Sequence, residues 1–462
     1  MKTEHILVIR FSAMGDVAMT VPVVYSLAKQ YPHVRITVLS RPFARPFFTD
    51  LAPNIGFMEA DIKGEYKGIK GLNALYRRLV AKQFTAIADL HSVLRSDYLR
   101  MRFNLDNFKV AHIDKHRKGK RKLIAANNKQ FVQQPTSFQN YADVFARLGY
   151  PVDLDFTSIY GEGKGDLTSL PEQIFTDQKG IIHKPGENAA PWIGIAPFAA
   201  HKGKIYPMEK METVIQQLIH SYPQARLYLF GGGKDETPIM NEWAGKYLQV
   251  INASAQLSGL SQELNLMSHL DVMLSMDSGN MHLASLVHTP VVSVWGATHP
   301  YAGFMGWNQN ILHAVQIDLP CRPCSIYGNK PCMRGDYACL NTPEKSGRNQ
   351  SAIPAQVAFT AFIIADLCRH CTGVVIFCIS GCHIPLVGNA QVKRNQLSRQ
   401  LRVYSALCAS STAQTLASPM PWPGSRLVER GSCPSGISTF CLTRLRTEIT
   451  SSPSVFFIRT CT

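Results

Sequence analysis

The stretch "RFSAMGDVAMTVP" (residues 10–22) follows the apolar run "HILVI" near the start of the chain. "ILVIR" (6–10) reads as a buried parallel strand, since its apolar residues run without alternation. Residues 17–31 read as a helix with Val17, Val21, Val24, Leu27 and Ala28 on one face. The turn between them carries a small residue, a glycine and a carboxylate, Asp16. On the residues alone, an acid at such a turn is a helix N-cap.

The strand–helix unit then repeats. "VRITVLS" (34–40), "GFMEAD" (56–61), "TAIADLHS" (85–92) and "FKVAHI" (108–113) read as strands. "GLNALYRRLVAKQ" (71–83) and "SFQNYADVFARLGY" (137–150) read as helices, with a basic loop, "DKHRKGKRK", at 114–122. Residues 151–190 are rich in Gly, Pro, Asp and Lys and read as a connection. A second alternation starts at "WIGIAP" (192–197) and ends at "PVVSVWG" (290–296), with helices at 208–222, 235–247, 260–270 and 279–287. Two doubly wound α/β halves in tandem are expected, with a ligand cleft between them.

The chain has 462 residues, a formal charge of +16 and a pI near 9.3. That length implies two or three domains, and that charge an anionic partner: nucleic acid, nucleotide, phosphorylated sugar or anionic lipid. A nucleic-acid binder is the weakest of these, since outside the tail the basic residues lack interleaved stacking aromatics. No Gly-x-Gly-x-x-Gly follows the first strand, which argues against a dinucleotide dehydrogenase. The first 320 residues contain no cysteine, which suits a reducing compartment. "ILVI" is broken by Arg10 and lacks a cleavage region, so it is no signal peptide. No stretch within residues 1–350 has the ~20 apolar residues of a membrane helix. A cytoplasmic protein is expected.

Three motifs point to phosphate chemistry. In "MDSGNMHLAS" (276–285) a strand ends at Asp277, and Ser278 and Gly279 turn the chain into a helix. Free N–H groups at a helix start attract anions, and glycine admits a phosphate close to the backbone. Asp277 can accept from sugar hydroxyls and His282 can donate to phosphate; an Asp/Ser cap with a core histidine is the plainer reading. In "AAHKGKIYP" (199–207), Lys204 at a strand end can neutralise a leaving diphosphate, or be a solvated loop lysine. In "GGGKDE" (231–236), Glu236 can bind ribose hydroxyls, or simply start a helix.

Together these motifs resemble family 9 glycosyltransferases, the heptosyltransferases of bacterial lipopolysaccharide core synthesis. The resemblance covers roughly residues 1–343 and rests on "FSAMGDVAMTVP", "KIYP", "LSGLSQELNLMSHLDVMLSMDSGNMHLAS" and "PVVSVWGATHP". It implies a GT-B architecture, with two Rossmann-like domains facing a cleft: residues 1–165 for the acceptor and 166–345 for the nucleotide sugar. It implies transfer of a heptose from ADP-heptose with inversion and no cofactor or catalytic metal. It places Asp16 as general base, with Gly15 beside the ligand, and maps the family's phosphate-binding lysine to Lys204. The donor's helix start maps to Asp277, Ser278, Gly279 and His282, with Glu236 a looser match. Members often carry Thr or Ser a few residues before the lysine; here Ala199, Ala200 and His201 stand there.

An anionic, lipid-linked glycan acceptor would suit the basic run, chiefly Lys118, Lys120 and Arg121, with Arg41 and Arg45 as further acceptor-side candidates. Charge runs are also commonly solvated faces. A peripheral position at the inner face of the inner membrane follows. The alternatives are transfer of another nucleotide sugar to another glycan, and an inactive sugar-nucleotide binder.

"CRPCSIYGNKPCMRGDYAC" (321–339) holds Cys321, Cys324, Cys332 and Cys339, a candidate structural zinc site or a set of reduced thiols. Beyond residue 346 the chain becomes rich in Cys and Ser and poor in acids; residues 351–462 hold ten Lys/Arg against three Asp/Glu. This tail reads as out-of-frame translation. Its charge-free stretch 371–392 mimics a membrane span but contains Gly, Pro and Asn.

Overall fold

The computed structural model describes residues 4–177, 179–185 and 190–341, with the two-residue strands Cys378–Ile379 and Cys382–His383. All lie in one compact unit, Met1–Val392. Apart from those four strand residues, the tail beyond 346 and the stretch 371–392 lie outside the described residues.

The first sheet comprises β1 (His5–Ile9), β2 (Arg35–Ser40), β3 (Ile55–Glu59), β4 (Ala86–Asp89) and β5 (Lys109–His112), in the order β3-β2-β1-β4-β5. The second comprises β6 (Trp192–Ala196), β7 (Arg226–Leu229), β8 (Val250–Asn252), β9 (Val272–Met276), β10 (Val291–Val294) and β11 (Ala314–Val315), in the order β11-β10-β9-β6-β7-β8. Every pairing in both sheets is parallel. Parallel sheets are covered on both faces, and β1, β6 and β9 are accordingly buried at every position. In the first sheet the strand order reverses between β1 and β4, and in the second between β6 and β9. Such switch points open a crevice beyond the strands' carboxyl ends.

The helices are α1 (Met14–Ala18), α2 (Val21–Gln30), α3 (Gly68–Val80), α4 (Leu94–Leu105), α5 (Arg117–Leu123) and α6 (Ser137–Arg147) in the first half. In the second they are α7 (Met208–Ser221), α8 (Thr237–Lys246), α9 (Ala253–Gln256), α10 (Leu260–Met267), α11 (Gly279–Leu286) and α12 (Ala338–Asn341). One apolar core runs through both halves, from Ile6 and Val24 through Tyr141 and Phe156 to Leu266 and Trp295. The outer faces carry separate cores, with Leu75, Leu99 and Phe103 on the first sheet and Met211, Leu218 and Trp243 on the second.

Three expectations are corrected. The helix expected at 17–31 is two, broken at Met19 and Thr20, with Pro22 in the first turn of the second. The basic loop at 114–122 contains α5, because Leu123 and the stem of Lys120 pack against Ala302, Phe304 and Ile326. α4 was not expected at all. The connection 151–190 has no long helix among its described residues; it folds back on α10, where Tyr160 Oη donates to Asn265 (2.5 Å) and Gly165 N to Ser268 Oγ (2.9 Å).

The halves are also tied at a second place. Lys129 Nζ donates to the carbonyls of Pro320, Arg322 and Pro323 at 2.9–3.2 Å. Gln134 N donates to Tyr301 O (2.8 Å) and Ser137 N to Gly303 O (3.0 Å).

A candidate active site between two helix starts

The chain leaves β1 through Arg10, which is buried, so its guanidinium needs acceptors. It donates to Leu90 O (2.6 Å) and Ser12 O (2.9 Å) and pairs with Asp16 Oδ2 (2.8 Å). Asp16 lies in the first turn of α1, and the same oxygen accepts from Ala13 N (3.1 Å). The carboxylate thus caps its helix by reaching back, while its side chain remains 35% exposed. Burial alone would raise its pKa; the Arg10 charge and the Ala13 amide outweigh that and hold it below the usual carboxylate value. Asp16 is therefore ionised at neutral pH.

His91 stands behind this turn. Its Nδ1 accepts from Phe11 N (3.5 Å) and its Nε2 lies 3.4 Å from Ser12 Oγ. Burial, then the charges of Arg10 and Lys115, push its pKa down to about 3, so the ring is neutral. Asp89 fixes the loop that carries it, accepting from His91 N and Ser92 N and pairing with Arg100 Nη1, each at 2.9 Å.

In the second half, β9 leads into Asp277 and then α11. Asp277 is buried and pairs with Lys204 Nζ at 2.9 Å. Lys204 closes a 3-10 turn after β6, its stem against Gly328: a Cβ there would come 2.6 Å from Lys204 Cγ. Ser278 is the N-cap of α11 but makes no capping bond; its hydroxyl lies 3.2 Å from Ser275 Oγ. The first amides of α11 thus have no side-chain acceptor, as an anion site requires. His282, one turn in, is buried with its Nδ1 unpartnered. Burial lowers its pKa to about 4, against the opposing charges of Asp277 and Asp16.

The two helix starts touch. A Cβ on Gly15 would stand 2.7 Å from His282 Cδ2 and 3.2 Å from Gly279 Cα. One on Gly279 would meet Met14 Cε at 2.9 Å. Glycine on both sides is what permits this approach. The Asp16 turn and the α11 start are therefore in direct contact, and His282 feels the charges of Asp16, Asp277 and Lys204 together.

Two lysines feel the charge of Asp16, and the other expected cations lie on α5 and after β2. Lys120 is buried with its Nζ 4.2 Å from the Phe304 ring centroid. Burial pulls its pKa down to about 8, opposed by the charge of Asp16. Lys115 Nζ donates to Ser92 O (3.0 Å) and also feels Asp16. Lys118 and Arg121 are exposed on α5. Arg41 precedes the 3-10 turn Pro42–Phe47 after β2, and Arg45 lies within it. Arg41 lies over Phe43 (5.2 Å), and Arg45 is paired with Glu59 at 2.7 Å. Glu236 starts α8 as expected, but its Oε2 already accepts from Gly232 N (3.0 Å) and Gly233 N (2.9 Å).

The zinc expectation is not supported. Cys321, Cys324, Cys332 and Cys339 are free thiols, and no three His, Cys, Asp or Glu side chains gather as a metal site among the described residues. Arg322 holds this segment instead, its Nη2 donating to Trp295 O and Thr298 O (3.0 Å each). Burial raises the Cys339 thiol to about 11, so it is no thiolate.

The sequence reading missed Arg10, His91, Asp89 and Tyr327, whose phenol is raised by burial and by the charge of Asp16. Arg10 had a signal: a cation closing a wholly apolar strand. So did "DLHS", which puts an acid and a histidine at a strand's end.

The sequence model of glycosyltransferase family 9 (heptosyltransferase) matches residues 72–331. That is more than half the chain. The chain belongs to glycosyltransferase family 9. It is a glycosyltransferase. Among curated relatives, lipopolysaccharide heptosyltransferase 3 of Escherichia coli is 24% identical over 363 residues, 74% of this chain and 93% of its own. Lipopolysaccharide core heptosyltransferase OpsX of Haemophilus influenzae is 23% identical over 298 residues, 64% of this chain and 80% of its own. Among solved structures, a family 9 glycosyl transferase of Veillonella parvula superposes with a TM-score of 0.56 at 18% identity, covering 79% of this chain and 98% of that one. ADP-heptose lps heptosyltransferase II of E. coli gives 0.51 at 17% identity, covering 78% and 98%. The fold is thus GT-B, as the sequence resemblance implied.

Proposed function

We propose that this glycosyltransferase moves a heptose, with inversion, from ADP-heptose to an acceptor sugar of the lipopolysaccharide core. The observation that carries the proposal is the contact of the Asp16 turn with the uncapped start of α11. The named activities of the relatives support the sugar and the acceptor class.

Inversion needs one carboxylate to take the acceptor proton as its oxygen attacks the anomeric carbon from the face opposite the leaving group. Both contacts of Asp16 fall on Oδ2, so Oδ1 takes that role. Arg10 holds the carboxylate's angle. A low pKa makes Asp16 a weak base, but it keeps the acceptor's proton site vacant across the working pH range. The departing nucleoside diphosphate develops charge at the α11 amides, with His282 donating and Lys204 turning from Asp277 toward it. Gly15 and Gly279 let the two helix starts close on each other, which brings Asp16 beside the amides that receive the diphosphate. These groups stabilise the leaving group without a metal ion. The basic groups of α5, with Arg41 and Arg45, receive an anionic acceptor. Such an acceptor is lipid-linked, so the enzyme works peripherally at the cytoplasmic face of the inner membrane; among the described residues no helix is long and apolar enough to cross one.

The test is ADP release from ADP-heptose with a core acceptor, with EDTA present. Wild type is expected to turn over. Asp16→Asn keeps the hydrogen-bonding shape and should lose 10²–10⁴-fold in kcat, with donor Kd within about two-fold. The acid side of the kcat profile should stay flat through pH 5, because a depressed carboxyl remains ionised there. Donor binding without turnover by wild type would instead mark an inactive binding protein.

A further inference from the structure

α4 is apolar on two opposite sides. Its inner side places Leu99 and Phe103 in the core, both fully buried. Its outer side carries Leu94, Met101 and Leu105, which are 89%, 48% and 69% exposed. They are seven and four residues apart, so they form a single stripe along the helix. One exposed leucine means nothing, but a stripe opposite the core face does. On the neighbouring α3, Ile69 is 67% exposed.

The stripe borders a cationic hollow. Between α3 and α4 lies a concavity of about 440 Å³ lined by Lys70, Asn73, Arg77 and Arg102. Asn73 Oδ1 accepts from Tyr98 Oη (2.7 Å) and Arg102 Nη1 (2.6 Å), which locks the two helices side by side. α3 contains no acid. The one acid of α4, Asp97, is paired with Arg100 at 2.9 Å. At the C-cap of α4 the exposed Asp106 accepts from Tyr76 Oη, so the surface is apolar along one line and carries an excess of positive charge, from Lys70, Arg77 and Arg102, beside it. Both helices start on the carboxyl side of the first sheet, where Asp16 stands.

We propose that the outer face of α3 and α4 docks on an anionic phospholipid bilayer. Leu94, Met101 and Leu105 enter the interface, and Lys70 and Arg77 sit at the phosphate level with Arg102 between them. The inference rests on the proposed acceptor for its purpose; vesicle binding is measured without donor or acceptor, so it stands or falls separately from heptosyl transfer.

The experiment is co-sedimentation of the full chain with phosphatidylglycerol/phosphatidylethanolamine vesicles and with phosphatidylcholine vesicles. Two double variants are compared with wild type: Leu94→Gln with Leu105→Gln, and Lys70→Gln with Arg77→Gln. All four positions are solvent-facing, and equal melting temperatures confirm that the variants fold. Wild type should bind the anionic vesicles and lose that binding in high salt. Each surface cation is worth about five-fold in partitioning, so the charge variant should lose about 25-fold. The apolar variant should lose at least about ten-fold. Wild-type binding in both variants would overturn the proposal by placing lipid affinity elsewhere on the chain. So would equal binding to phosphatidylcholine, or no binding at all. Loss of a dimer in the apolar variant, with vesicle binding unchanged, would assign the stripe to a second copy instead.

Discussion

Gly15→Ala tests the geometry on which the proposed chemistry depends. The added methyl would come 2.7 Å from His282 Cδ2 and 3.2 Å from Gly279 Cα. Ordinary carbon contacts lie at about 3.5–4.0 Å, so close to 1 Å must be found. His282 is buried and Gly279 contributes backbone, so neither can swing aside, and α1 and α11 must separate. Overpacking of this kind costs about 1–3 kcal/mol, which reduces the population of the closed site by about 5- to 150-fold. A displacement near 1 Å at reacting groups also costs rate on the order of 10²-fold. We therefore expect kcat/KM to fall by about 10- to 100-fold. The melting temperature should fall as well, because one apolar core joins the halves and the whole unit feels the strain of about 1–3 kcal/mol. The assay is steady-state ADP release alongside a melting curve. Gly279→Ala is the contrast: its methyl meets the mobile tip of Met14, so any loss should appear in donor KM. A Gly15→Ala enzyme with kcat/KM within two-fold of wild type would refute the reasoning.

Lys204→Met leaves the buried Asp277 carboxylate without its cation, and such orphaned charges cost about 3–5 kcal/mol. Its melting temperature and its rate should both drop; adding Asp277→Asn should restore the first and not the second, and recovery of rate would overturn the leaving-group role of Lys204. Lys120 titrates near pH 8 in the folded chain against about 10.4 unfolded. Between those values the unfolded chain binds more protons, so wild-type stability should rise with pH, by up to about 3 kcal/mol. Lys120→Met keeps the packing on Phe304 and should abolish that rise in urea titrations. Acceptor KM should increase in wild type as pH passes 8 and be high but pH-independent in the variant. A wild-type KM that is flat from pH 7 to 9 would remove Lys120 from the acceptor site.

The strands were legible because parallel strands buried on both faces become short unbroken apolar runs, and each run led into its own turn. Asp16 and Gly279 could be picked out as the residues beyond β1 and β9. The resemblance implied that the two face one cleft, but the direct packing of Gly15 on Gly279 and His282 was not legible, since it joins positions more than 250 residues apart and depends on side chains that glycine lacks. α4 escaped notice because Leu94, Met101 and Leu105 outside and Leu99 and Phe103 inside blur any single apolar face. α5 escaped because its helix is stabilised by Ala302, Phe304 and Ile326, far along the chain. Arg10 was visible, but not that Asp16 is its counterion, for the acid's reach back to Ala13 depends on how the turn folds.

The bonds of Lys129, Gln134 and Ser137 to the second half have a mechanical consequence. A body fastened at one margin swings like a book cover; one fastened along two margins shears or breathes. On the proposed function, exchange of the nucleotide is confined to small sliding excursions unless the ammonium of Lys129 first lets go of three carbonyls. The tempo of that proposed turnover is then written partly into a clasp that touches neither Asp16 nor α11.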